Sequence, residues 1–217
     1  MAETIYQEMD RRKKKLQQKI KDEFNHLGAM GYDELNVVRV RQYTKAMYER
    51  MSKMAEDEFY EMALFAYKQT FKDADRQIEE DDLDDGYIYY EVLNRYNPVT
   101  GYKFKSETER KMMRLNEQIL TAKEYNDVNM FNESLKRGAS LWWTQIAEFG
   151  IFSCDQASKT ALDKMHVKRV KWVAEHDEKT CDTCMERDGQ IYLLAEVPPK
   201  VHYNCRCTLK PVLGDEK

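Results

Sequence analysis

Four of the five cysteines in this 217-residue chain fall within its last 37 residues, in two short knuckles. The first reads Cys181-Asp-Thr-Cys184. Seventeen residues later comes His202-Tyr-Asn-Cys205-Arg-Cys207. A Cys-x-x-Cys turn offers two thiolates to one ion from a tight loop, and a second knuckle across a hairpin's length supplies the rest of a tetrahedral shell. Such a pattern points to zinc. It also fits the size of the segment, because a unit of about 45 residues has too little core to be secure without a clamp.

Five candidate ligands, Cys181, Cys184, His202, Cys205 and Cys207, compete for four positions. The symmetrical set is Cys181, Cys184, His202 and Cys205. An equally tenable set uses Cys207 and leaves His202 or Cys205 behind the ligands. A thioredoxin-like redox pair would want a βαβ context with a helix starting at the first cysteine, and Gly189 with the strand after it argues against that. A disulfide framework is disfavoured by the expected reducing compartment, since the first residues contain no apolar signal segment. A catalytic metal would need an open position and a nearby base. Asp177, Glu178 and Asp182 are at hand, yet a cluster with ligands to spare reads as closed.

Around the cysteines the hydrophobic period is two. Val167, Arg169, Lys171 and Val173 alternate with Lys168, Val170, Trp172 and Ala174, and residues 189–194 and 207–213 read as two further strands. Upstream the period is helical. Ile5, Met9, Leu16, Ile20, Phe24 and Leu27 form one stripe, and Met47, Met51, Met54, Ala55, Met62 and Phe65 form another. Ser106 with Glu109 predicts a capping box opening a helix that buries Met112, Met113, Leu115, Ile119 and Leu120. Phe131, Leu135, Trp142, Ile146 and Phe149 follow in a further helix, ended by Gly150, with a last helix over 155–165. Trp142 and Trp143 are adjacent, so only one can face that core. Cys154 reads as a small buried hydrophobe, and His26, His166 and His176 as surface residues. Residues 87–93 lean to helix, after a turn at Asp85-Gly86.

The expected architecture is therefore mostly α. An elongated helical region spans 1–165, with breaks near 28–32, 84–101 and 126–129, and a small β-rich zinc-binding module spans 166–217. A mean hydropathy of −0.81 and 34% charged residues suit long helices with much outer surface. The net charge of −4 offers no global basic field for nucleic acid. Only Arg11, Arg12, Lys13, Lys14 and Lys15 form a basic block, a candidate phosphate contact whose ordinary alternative is a solvated helix face. Eight acidic residues crowd positions 73–85. No apolar run is long enough to span a membrane.

The C-terminal segment also resembles a known family. It carries Trp172, then Thr180-Cys181-x-x-Cys184, Asp188-Gly189, Tyr192, Pro198-Pro199 and His202-x-x-Cys205-Arg206-Cys207 before Pro211. In order and spacing this is similar to the module of tailed-phage head morphogenesis proteins, the SPP1 gp7 and Mu gpF-like minor head proteins. The resemblance covers about 45 residues. It implies a non-enzymatic minor capsid protein, made in the host cytoplasm and built into the virion in few copies near the portal vertex. Portal protein and major capsid protein are the implied partners, and packaged DNA is the partner that the Arg11–Lys15 block would touch. A zinc-dependent enzyme acting on nucleic acid, with Asp177 and Asp188 as suspects, and a DNA-binding adaptor are the alternatives.

Overall fold

A computed structural model describes residues 4–79, 86, 94, 96–97, 101–176, 178, 180–200 and 205–212. Four long helices carry most of it. They are α1 (Ile5–Ala29), α2 (Val37–Asp73), α3 (Phe104–Glu124) and α4 (Val128–Lys164), followed by β1 (Arg169–Val173), a short α5 (Asp182–Arg187), β2 (Ile191–Leu193) and β3 (Thr208–Pro211). At 1.5 Å per residue, α2 and α4 are each about 55 Å long. They pack along one another, and α1 and α3 each lie against both. The four helices share one apolar core. The polar composition thus belongs to the outer faces of a bundle, not to a separate extended arm.

The stripe read on the first helix is buried at every position, from Ile5 to Leu27. Its start is a capping box: Thr4 Oγ1 accepts from the Gln7 amide at 3.2 Å, and Gln7 Oε1 accepts from the Thr4 amide at 3.0 Å. On α2, Met47, Met51, Ala55 and Met62 are buried, with Met54 and Phe65 packed at the margin. Asn36 and Asp127 cap α2 and α4 through the amides of Arg39 and Met130. The chain turns at Gly31 (φ +80°) after α1 and at Asn126 (φ +50°) after α3.

Three helix expectations need correction. First, α3 opens at Phe104, two residues before Ser106, and Ser106 Oγ turns back to the Lys103 carbonyl. Phe104 is the cause. It is wholly buried, with its ring 5.1 Å from Phe59 and 5.3 Å from Phe149, and that packing outweighs the capping signal. Second, Met113 on α3 is exposed. Third, α4 does not stop at Gly150 but runs unbroken to Lys164, joining the two helices expected on either side. A Cβ at Gly150 would sit 3.2 Å from Met62 Sδ, so this glycine allows close approach of α2 instead of ending a helix. Of the adjacent tryptophans, Trp142 is buried and Trp143 exposed, as their adjacency requires. Gly86 is helical where a turn was expected; residues 87–93 and most of the acidic stretch lie outside the described residues.

The sheet is three-stranded and antiparallel in the order β2-β1-β3. Val170 stands opposite Tyr192 on one side and Pro211 on the other, and Trp172 stands opposite Leu209. Val170 and Trp172 share the inward face of β1. Val170 joins the helical core, whereas Trp172 joins a second, smaller core with Ala174, Cys184, Cys205 and Cys207. Among the described residues no helix is long and apolar enough to cross a membrane.

Candidate metal centre

The second core is where the cysteines meet. Cys181 is the N-cap of α5, in extended conformation, and Cys184 lies on that helix's buried side. The Cys-x-x-Cys knuckle thus opens a short helix and is not a simple tight loop. The neighbouring strands are antiparallel, however, so no βαβ redox frame surrounds it. Cys205 and Cys207 enter from the chain leading into β3, two residues apart, so both side chains reach the same interior.

The sulfurs of Cys184, Cys205 and Cys207 all lie within 4.8 Å of one another, and Cys184 Sγ is 3.6 Å from Cys205 Sγ. Zinc–sulfur bonds of about 2.3 Å in a tetrahedron require sulfurs about 3.8 Å apart. The three thiols therefore have the spacing of a metal triangle, and none of the five cysteines is in a disulfide. Cys181, half-buried, packs against the same cluster. His202 lies outside the described residues. Among the described residues, then, three candidate ligands are brought together, the fourth borders them, and the fifth is left open.

The thiol protons are unevenly held. A hydrogen bond from Cys207, with help from the Lys200 cation, pulls Cys205 down to about 5. Burial pushes Cys184 up to about 12, and donation to Cys205 pushes Cys207 upward as well. Cys205 is thus the thiol that gives up its proton most readily, and the thiolate is the form that binds a soft cation. Among the described residues the buried Trp172 indole N–H has no oxygen or nitrogen acceptor, and it lies beside the Cys207 sulfur. It is placed to donate to a metal-bound thiolate, the outer support such ligands commonly have.

Two other groups frame the centre. Asp188 accepts the Ala174 amide at 2.8 Å and meets His176 Nε2 at 2.7 Å, which ties the turn after α5 to the end of β1. The Ala174 bond is the main reason its carboxyl sits below the ordinary range. Asp188, a suspect for catalysis in the sequence, is thus committed to the fold, and Asp177 lies outside the described residues. Behind the Cys205–Cys207 segment, Tyr6 of α1, Asp155 of α4 and Lys200 form a polar knot in the wall of a cavity of about 270 Å³. No local spacing could announce a trio drawn from positions 6, 155 and 200.

The basic block is mostly spent within the fold. Arg11 and Arg12 pair with the buried Glu8, Arg12 reaches Glu58 and Glu61 on α2, and Lys13 pairs with Asp10. Lys14 and Lys15 are exposed, as are His26, His166 and His176. Cys154 is buried near the Met62 carbonyl, the apolar role expected of it.

Residues 141–210 match the family model described as Phage Mu protein F like protein. That segment is Mu F-like. It begins inside α4 and ends in β3, so it contains all four clustered cysteines, and over this segment the chain is similar to the phage protein family that the resemblance named. Neither a curated protein nor a solved structure matches the chain.

Proposed function

We propose that this F-like protein is a non-enzymatic minor capsid component. In this reading it is built into the phage head in few copies at the portal vertex, where it assists head assembly or DNA ejection. The helical body over 1–165 would meet the portal and major capsid proteins, and the module over 166–217 would be a zinc-clamped knob. The observation that carries this is the buried thiol triangle inside the F-like match. Its sulfurs are enclosed, its indole donor is aimed at a ligand, and the adjacent Asp188 already holds the backbone. Those are features of a clamp, not of an open catalytic site.

Cys184, Cys205 and Cys207 would supply three ligands, with Cys181 or His202 the fourth. Bound zinc supplies folding free energy, on the order of 10–16 kcal/mol for small sites at neutral pH. The exposed Lys14 and Lys15 are the part of the basic block left for packaged DNA.

Metal analysis of the purified protein should give one zinc per chain. Serine at 184, 205 or 207 should abolish retention, and serine at 181 against alanine at 202 should identify the fourth ligand. Absence of the protein from purified heads, or failure to co-purify with portal and shell proteins, would overturn the capsid reading.

A further inference from the structure

Lys200 has its three ammonium protons matched by three acceptors: the Tyr6 hydroxyl at 2.7 Å, Asp155 Oδ1 at 2.7 Å and the Cys205 carbonyl at 3.1 Å. The Tyr6 hydroxyl lies 3.0 Å from the Cys207 carbonyl and 3.1 Å from Asp155 Oδ1, and donates its proton between them. The knot therefore grips the main chain at both cysteines of the second knuckle. It joins that knuckle to the first turn of α1 and to the C-terminal half of α4. Tyr6 is 3% exposed, and the Lys200 and Asp155 side chains 17% and 23%.

The grip falls where the sheet gives none. Strand pairing of β3 with β1 begins at Thr208, so residues 205–207 lie outside the ladder. Ligand groups on an unpaired segment need outside support to hold a coordination geometry. The charge is suited to the task as well. Three or four thiolates around one divalent cation leave a net negative site, and the Lys200 ammonium stands 3.1 Å from the Cys205 carbonyl.

We propose that Tyr6, Asp155 and Lys200 are positioning residues for the metal, and that through them metal occupancy and docking of the first turn of α1 depend on each other. This rests on the zinc reading above. Because the linkage is reciprocal, whatever the knot contributes to holding the ion, the ion returns to the knot. Loss of zinc should loosen the start of a helix that is 201 positions away in sequence from Cys207.

The test uses the full zinc-loaded chain. Lys200→Met keeps the aliphatic stem and removes the ammonium, and Tyr6→Phe removes only the hydroxyl. Each should release zinc to a chromogenic chelator faster than wild type, by about 10- to 100-fold if the usual loss of affinity on deleting a group behind a ligand falls on the release step. Arg12→Met, which cuts an α1–α2 ion pair away from the cysteines, should destabilise the bundle yet leave the release rate within about twofold. In wild type, stripping the metal should speed amide exchange over residues 5–9 more than over the second half of α1. Should Lys200→Met fail to fold, Tyr6→Phe carries the test. Wild-type protein without stoichiometric zinc overturns the metal reading and the coupling with it. Zinc held at one per chain, with wild-type release rates in both variants or unchanged exchange in α1, overturns the coupling alone.

Discussion

Gly138 and Gly150 both lie on the buried side of α4, and they differ in what a methyl group would meet. A Cβ at 138 would come 2.7 Å from Phe24 Cε1, the edge of a ring packed in the core. At 150 it would meet Met62 Sδ at 3.2 Å, a thioether that can swing aside. Alanine gains about 1 kcal/mol over glycine in a helix, and overpacking costs about 1–3 kcal/mol. Gly138→Ala should therefore lower the denaturant midpoint, and Gly150→Ala should leave it unchanged or raise it. A drop for Gly150→Ala would mean that Met62 cannot move to make room for the methyl group.

Glu8 gives a pH signature at the same scale. Burial works to raise its carboxyl, but hydrogen bonds from Arg11 and Arg12 outweigh that and hold it below the ordinary value. A lowered folded value contributes stability above the unfolded value of about 4.3, lost as pH falls through the folded one. Glu8→Gln should be less stable at neutral pH by about 1–3 kcal/mol. Its stability should also fall less steeply than wild type in acid. Equal acid slopes for the two proteins would remove Glu8 from the account.

Among the elements, the helix starts make separate predictions. Asp127 bonds the Met130 amide as N-cap of α4, so Asp127→Ala should cost about 0.5–2 kcal/mol. Ser106 lies inside α3, so Ser106→Ala should change the thermal midpoint little, although the sequence signal there is the stronger of the two. The contrast says what was legible. The stripes of α1 and α2 could be read because each turn repeats the same burial, and the strands because Val170 and Trp172 alternate with polar neighbours. The start of α3 could not, because it depends on rings of Phe59 and Phe149, distant in sequence. Gly150 misled for the opposite reason: glycine signals a break locally, and its use in helix contact is visible only once α2 is in place.

For the whole molecule, the two cores differ greatly in size. The helical core draws on all four long helices, whereas the other is built around Trp172, Ala174 and three cysteines. On the proposed zinc reading, a chelator should abolish the near-ultraviolet signal of Trp172, and most of the far-ultraviolet helical signal should survive. Simultaneous loss of both would mean that the cores fold as one. The cysteine cluster was readable because its spacing is local, while the knot of Tyr6, Asp155 and Lys200 was not, since only the packed chain brings it together.

The unbroken α4 has a consequence for how such a chain can be assembled from parts. The F-like segment begins at Leu141, thirteen residues into a helix whose first half packs against α1 and α3. A gene exchange cut at that boundary would deliver the cysteines with a severed rod and a bare apolar flank, Trp142 and Ile146 foremost. Any recipient would need a surface already shaped to receive that flank. The segment that matches the family is therefore shorter than the helix that packs as one body. Joining F-like modules to new bodies should succeed where the crossover falls in the loop at 125–127 and fail where it falls within the rod.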